Sequence, residues 1–154
     1  TWISTIDFDL KNELLLPAFF YFFGKFIISE VIQKEKRTEE FLQELNETKD
    51  ISFCEEKYMG FSCGRITANV FKHWNLSHNI IFPIAYAEDI DSCPDSFKQK
   101  AQILHVIKIL CDIRDPLSDR NIEKALKKVA LFNLDVEQFL NSIDVIKEVI
   151  KQNS

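Results

Sequence analysis

Apolar positions recur at helical spacing along most of the chain. Residues 14–28 are apolar on nearly every side, and Pro17 suits the first turn of a helix, where its missing N–H costs nothing. We expect a helix from there to about Gln33. A helix that is apolar all round belongs in the middle of a packed bundle. Residues 1–13 show no sustained period and are expected to form a lead-in segment.

Amphipathic stripes and end signals predict seven further helices. Asp50 can cap a helix that Gly60 ends, and Ser77 can cap a later one. Pro83 should kink or delay that later helix without abolishing it. The predicted ranges are about 37–46, 50–58, 62–74, 77–86, 96–112, 118–131 and 135–151. The longest helix is expected to face the core with Ile103, Val106, Ile107 and Leu110. The pattern indicates an all-α bundle of about seven or eight helices with short links.

Composition supports one helical domain over residues 1–154. Of the residues, 46% are apolar, so core material is plentiful, and three glycines and four prolines are too few for a barrel or sandwich. The net charge of −5 arises from mixed charges and gives no electrostatic footprint for nucleic acid. We therefore expect no nucleic-acid partner.

One basic cluster stands out, at Lys124, Lys127 and Lys128, spaced as one face of a helix. A solvated helix face is the default interpretation, and a phosphate-binding role is the alternative. The four cysteines have irregular gaps and form no C-x-x-C pair, which favours neither a disulfide framework nor a zinc site. They are Cys54, Cys63, Cys93 and Cys111. We expect buried free thiols in a reducing cytoplasm.

The apolar run at residues 14–28 also requires a membrane check. It is shorter than the roughly 18–20 residues of a membrane span, and it contains Pro17, Gly24 and Lys25. It lacks a basic leader and a small-residue cleavage site. We expect a core helix and no membrane contact.

Candidate catalytic residues are few. His73 and His78 are five residues apart across a helix break and are interpreted as surface or helix-end histidines, whereas His105 is interpreted as a satisfied core histidine. No phosphate-binding glycine loop and no nucleophile elbow occur in the sequence. Glu55 and Glu56 are adjacent, and adjacent helical residues point apart, which favours a solvated edge over an acid–base pair.

Two stretches resemble a known family. Residues 19–28, FFYFFGKFII, look like the LLHDIGKLVL segment of HD-type phosphohydrolase-like domains, with Gly24 and Lys25 retained. Residues 56–86 are similar to a later segment of HDOD domains, and residues 101–110, AQILHVIKIL, resemble that family's next helix. In the later segment the matching positions are Gly60, Trp74, Leu76, Ile80 and Ile84. The resemblance covers about residues 14–110 and implies an HD-domain-like helical bundle, with the helices of 118–151 following it.

The departures from the family fall on its metal ligands. The His–Asp pair of catalytic relatives aligns with Tyr21 and Phe22, and a later histidine aligns with Cys63. A tandem histidine pair aligns with Ala87 and Glu88, and the last aspartate aligns with Lys108. Catalytic relatives use these positions to hold divalent metals that activate water against a phosphate ester. Tyr21 and Phe22 offer one weak phenolic oxygen between them, and Lys108 places a positive charge where a cation would bind.

The resemblance therefore implies a bacterial signal-transduction module that is a pseudoenzyme, without catalytic residues, cofactor or metal. Its expected partner is a regulatory protein or an N-terminal helical half that the family carries ahead of this segment. Without that half, Trp2, Phe8, Phe19 and Phe20 would be exposed and would favour self-association.

Two alternatives stay open. The first is a divergent metal-dependent phosphohydrolase that uses Glu88, Cys63, His105 and Glu56 as a rebuilt site. The second is a ligand pocket at the former metal position, formed by Lys25, Glu88 and Lys108, that attracts an anion. A lysine there should reach outwards to solvent or bond a carboxylate or phosphate, and the default interpretation of Lys25 is a helix-flank lysine that reaches solvent.

Overall fold

The structure is a computed structural model that describes Trp2 and residues 8–153. These residues form an all-helical bundle without strands, which confirms the predicted fold class. The α-helices are α1 Phe8–Phe20, α2 Gly24–Lys34, α3 Thr38–Thr48, α4 Ile51–Met59, α5 Cys63–His73, α6 His78–Tyr86, α7 Asp95–Leu110, α8 Asp119–Leu131 and α9 Val136–Gln152. Two 3₁₀ helices occupy Tyr21–Phe23 and Ile90–Ser92.

Polar side chains start the helices where the sequence predicted them. The Asp50 carboxylate accepts the backbone N–H of Phe53, and the Ser77 hydroxyl accepts that of Asn79. Gly60 ends α4 with φ at 72°, a conformation that costs glycine little. Pro83 lies within α6 and does not delay its start.

The N-terminal segment differs from its prediction. Residues 8–13, expected to be a lead-in, are helical and belong to α1. Pro17 consequently lies inside the helix and not in its first turn. Proline lacks the N–H that would bond the carbonyl oxygen four residues earlier in the helix. Helix α1 ends at Phe20, three residues after Pro17, and the 3₁₀ turn Tyr21–Phe23 follows.

Two larger buried clusters meet at α7. Ile103 and Val106 pack with residues of α1, α8 and α9, whereas Leu104 packs with residues of the 3₁₀ turn, α5 and α6. The predicted core face of α7 is confirmed for Ile103, Val106 and Leu110, which are buried, and Ile107 is half-buried. A third, smaller cluster joins Ile28 and Ile32 of α2 to Cys63.

The expectation that the first apolar helix is buried on all sides is wrong. Leu15, Phe19 and Phe26 are exposed, with Phe19 at 77% and Phe26 at 75%. The neighbouring helices cover one side of α1 and α2 and leave the other apolar side open. Trp2 is buried, contrary to expectation, because its ring packs edge-to-face on Phe139 with centroids 5.3 Å apart.

The other aromatic residues of this segment differ among themselves. The predicted exposure of Phe19 is confirmed, whereas Phe20 is half-buried with its ring 5.5 Å from that of Phe71. The side chain of Phe8 lies outside the described part of the chain.

The same segment changes the membrane check. The helical stretch Asp9–Lys34 has 26 residues and a mean hydropathy of 1.6 in its most apolar 18-residue window, so its length no longer argues against a span. Within the described residues it alone reaches the length and composition of a membrane-spanning helix. A core helix of a soluble protein or a signal sequence can have the same composition.

Candidate functional site

Three of the positions that the resemblance assigned to metal ligands, Tyr21, Phe22 and Cys63, lie where the 3₁₀ turn crosses α5. Thr67 is fully buried at this crossing, and its hydroxyl accepts the Gly24 N–H at 2.8 Å. The same hydroxyl lies 3.2 Å from the Tyr21 carbonyl oxygen and 3.0 Å from that of Cys63, so it can donate to either. Gly24 lacks a side chain that would separate the two elements. The contact places Tyr21 and Cys63 side by side.

Tyr21 and Phe22 replace the aligned His–Asp pair with rings. The Tyr21 ring is buried, and its hydroxyl has no hydrogen-bond partner among the described residues. Burial, reinforced by the nearby Cys63 thiol and Glu55, raises the Tyr21 pKa well above its usual range. Phe22 packs edge-to-face on Tyr21 and lies 5.7 Å from the Lys25 ammonium. Neither residue presents an anionic oxygen at neutral pH.

Cys63 occupies the position of the later histidine. Its thiol is buried and lies 3.8 Å from the Tyr21 carbonyl oxygen, to which it can donate weakly. Burial, with the Glu55 carboxylate adding to it, raises the pKa of the Cys63 thiol to about 11. The thiol is therefore protonated at neutral pH, and a protonated thiol is neither a nucleophile nor a metal ligand.

Lys108 and Glu88 form an ion pair at the remaining aligned positions. The Lys108 ammonium contacts the Glu88 carboxylate and donates to the Ser52 hydroxyl at 2.8 Å. Burial lowers the pKa of Lys108, and the Glu55 carboxylate opposes that shift. The second oxygen of Glu88 is buried and has no partner among the described residues. The pair joins the end of α6 to α7, with Ser52 contributed by α4.

A second ion pair lies beside the first. The Lys25 ammonium bonds the Glu55 carboxylate at 2.5 Å, and Glu55 is only 3% exposed. Of the two expected arrangements for a lysine here, Lys25 thus adopts the carboxylate bond. The interpretation of Glu55 and Glu56 as one solvated edge is wrong for Glu55. Adjacent helical residues point apart, so Glu56 is exposed while Glu55 faces Lys25.

Ala87 and His105 are joined through the backbone. The Ala87 carbonyl oxygen lies 2.6 Å from Nδ1 of His105, and Ala87 is fully buried. Burial lowers the pKa of His105, so the neutral ring donates from Nδ1 to this carbonyl. Nε2 is buried without a hydrogen-bond partner in the described part of the chain. The expectation that His105 is hydrogen-bonded in the core is therefore confirmed for Nδ1 alone.

The four residues of the alternative hydrolase site are only partly brought together. Glu56 and Glu88 line one cavity of about 440 Å³, and neither Cys63 nor His105 lines it. Over the described residues, no group of three or more His, Cys, Asp or Glu side chains is placed to hold a metal. The other two histidines lie at helix ends and are exposed, as predicted, with the His78 ring stacked on Phe82.

Three of the four predicted buried thiols are confirmed. Cys54, Cys63 and Cys93 are buried, whereas Cys111 is exposed because it follows the last turn of α7. All four are free thiols.

Comparison with known proteins bears on the fold. No protein-family model matches the sequence, and no curated protein matches it. The chain is similar to the crystal structure of a virulence factor from Campylobacter jejuni subsp. jejuni, with a TM-score of 0.76 and 19% identity, over 92% of this chain. At this identity the likeness shows a shared all-helical fold. The chain spans 55% of that neighbour's length.

Proposed function

We propose that this chain is a non-catalytic, HDOD-type regulatory module of bacterial signal transduction that acts through protein–protein binding and docks an N-terminal helical half on its exposed apolar surface. The observation that carries the proposal is the Lys108 ammonium, held by Glu88 at a position where catalytic relatives bind a metal. A cytoplasmic location belongs to the same proposal and is supported by the free thiols.

The ion pair opposes metal binding in two ways. The ammonium repels a divalent cation, and it already occupies an oxygen of the carboxylate that such a cation would need. Tyr21 and Cys63 compensate poorly, because burial raises the pKa of both side chains and a cation would have to displace a proton from each. The first support for a non-catalytic role is therefore electrostatic.

Hydrolysis assays test the non-catalytic part. Purified protein with Mn²⁺ or Fe²⁺ should cleave bis(p-nitrophenyl) phosphate no faster than the metal alone, and a Glu88→Gln variant should give the same rate. A metal-dependent rate that disappears in Glu88→Gln would favour the divergent phosphohydrolase and overturn the proposal.

The binding part rests on an exposed aromatic surface, defined by Leu15, Phe19, Phe26 and Trp74. These side chains are between 56% and 77% exposed. Edge-to-face and stacked contacts join Phe19 to Trp74 through Phe20 and Phe71, and a second path joins Phe26 to Trp74 through Phe23. The rings of Phe19, Phe26 and Trp74 therefore belong to one aromatic cluster, whose member Phe71 is buried. Large exposed apolar patches on monomers mark interaction sites.

We assign this surface to a helical segment encoded ahead of Thr1. The family resemblance implies such a segment, and the structural neighbour is almost twice as long as this chain. A helix with an apolar face would bury the aromatic rings that α1 and α2 leave open.

Hydrogen exchange tests the assignment. In the full reading frame, amides of α1 and α2 should exchange more slowly than in the 154-residue chain, and Phe19→Ser with Phe26→Ser should abolish the difference. A reading frame that begins at Thr1 would contradict the assignment. Concentration-dependent dimerisation through the same rings, or their insertion into neutral lipid vesicles, would contradict it too.

A further inference from the structure

A basic cavity of about 490 Å³ lies beside the two ion pairs. Its lining comes from the link between α3 and α4, the end of α7 with the connection that follows it, and α8, together with Phe22 and Lys25. Seventeen residues line it, of which eight are Lys or Arg and two are Asp. The lining residues thus carry a formal excess of six positive charges in a chain whose net charge is −5, although Lys25, Lys108 and Lys127 form ion pairs with glutamates outside the lining.

The cations of the cavity differ in how far they are neutralised. Lys25 bonds Glu55, and Lys108 bonds Glu88. These two lysines are therefore neutralised by carboxylates and are not the cations that an anion would bind. Lys49, Arg120 and Lys124 have no ion pair within the described part of the chain and are exposed. Positive charge is thus available at the rim and wall of the cavity, away from the aligned metal positions.

Half of the eight lysine and arginine residues that line the cavity come from one face of α8. Arg120, Lys124, Lys127 and Lys128 are spaced by four, seven and eight residues along α8, which puts them on one side. That side faces the cavity. The three lysines of the sequence cluster therefore line the cavity, and Lys124 and Lys127 are also exposed, as the interpretation of a solvated face expected.

The facing wall is held in place by Arg114. Its guanidinium donates to the Lys49 carbonyl oxygen at 3.0 Å, which links the α7–α8 connection to the end of α3. The guanidinium also lies 3.6 Å from the Asp112 carboxylate, which partly neutralises it, and its remaining N–H donors beside Lys49 suit phosphoryl oxygens. Cations therefore face one another across the cavity.

The lining of the cavity is partly apolar, with Phe22, Ile51, Ile109 and Ile113 among its residues. Its volume falls within the roughly 300–1,000 Å³ typical of small-ligand sites. The cavity thus combines a cationic wall with a surface suited to an apolar group.

We propose that this cavity binds a small ligand carrying two or more phosphoryl groups, with the phosphoryl oxygens on Arg120, Lys124 and Lys49. Unpaired cations that lie close together repel one another, and a bound polyanion relieves that repulsion. The proposal goes beyond the proposed function, because a ligand can bind here whether or not a polypeptide covers the aromatic surface.

Calorimetric titration with tripolyphosphate and with ATP, at fixed ionic strength, tests the proposal. One equivalent should bind, and Arg120→Gln with Lys124→Gln should weaken binding by about tenfold or more. The matched control, Lys72→Gln with Lys151→Gln, removes the same charge from exposed lysines outside the cavity and should change affinity less than about twofold.

The two ligands also separate two sources of the phosphoryl groups. Tighter binding of ATP than of tripolyphosphate would indicate that the adenine ring packs on the apolar lining and that the ligand is a nucleotide. Equal affinity would indicate an inorganic or sugar-linked polyphosphate. Either result supports binding of a phosphorylated ligand in the cavity. Absence of binding of both ligands at millimolar concentration, or equal weakening in the matched control, would overturn it. Circular dichroism of each variant checks that the fold is retained.

Discussion

Thr67 connects the 3₁₀ turn to α5 through a single buried hydroxyl. Thr67→Val keeps the shape but removes the acceptor of the Gly24 N–H. Leaving that buried donor without its side-chain acceptor should lower the free energy of unfolding by about 1–3 kcal/mol. Urea denaturation measures the change. Thr38→Val, at an exposed position, should stay within about 0.5 kcal/mol and serves as the control. Equal effects at both positions would contradict the role of the hydroxyl.

Ionisation of the Cys63 thiol should make the free energy of unfolding depend on pH in the alkaline range. Its pKa is about 11 in the folded chain, against an ordinary 9.0. Between these values the unfolded chain has lost a proton that the folded chain retains, so folding stability is full below pH 9 and falls as the pH rises towards 11. The contribution amounts to about 2–3 kcal/mol.

A non-titrating variant isolates this effect. Cys63→Ser has no group that ionises in the window, so the difference in unfolding free energy between wild type and variant should shrink from pH 8 to pH 10.5. Burial, the largest cause of the raised Tyr21 pKa, acts in both proteins, and only the smaller contribution of the Cys63 thiol to that pKa is lost in the variant. A difference that stays constant over this range would show that the thiol is not held in its neutral form by the fold.

Helix α2 can approach α5 only because its first residue is Gly24. A Cβ there would lie 2.5 Å from the Cys63 carbonyl oxygen and 2.9 Å from the Thr67 hydroxyl. Gly24→Ala should therefore destabilise the fold by about 1–3 kcal/mol, although alanine favours helices.

The exposed helix position Ser29 provides the comparison for that substitution. Ser29→Ala lies on α2 away from the crossing and should be neutral or slightly stabilising in the same denaturation experiment. A Gly24→Ala protein as stable as wild type would contradict the close approach of the two helices.

The helices themselves were largely predictable from local signals. Asp50 and Gly60 bound α4 because capping and left-handed turns depend on single residue types. The core face of α7 followed from the spacing of Ile103 and Val106. Residues 8–20 were predictable only in part, because apolar residues on every side carry no information about which side is covered.

The site required contacts between distant residues. Glu55 and Glu56 have the same chemistry in the sequence, and only the packing of α4 against α2 distinguishes the buried one. Lys49, Arg114 and Arg120 belong to three separate segments, so no spacing rule could place them around one cavity. The alignment identified the position of Lys108, but its Ser52 partner, 56 residues away, came from the fold.

At the scale of the whole molecule, the two ion pairs, the basic cavity and the aromatic surface have different consequences. The ion pairs place protein cations at the aligned metal positions, the cavity offers unpaired positive charge, and the aromatic surface offers apolar area. The proposed function depends on the absence of a bound metal, because metal-activated water is the chemistry of the catalytic relatives. Metal binding is accordingly the property to measure.

Calorimetric titration of the purified, metal-stripped chain with Mn²⁺ is the most direct measurement. The account predicts no saturable binding at micromolar protein and metal concentrations, because Lys108 occupies Glu88 and both Tyr21 and Cys63 are neutral. Binding of one equivalent of Mn²⁺ that is lost in Glu88→Gln would contradict it.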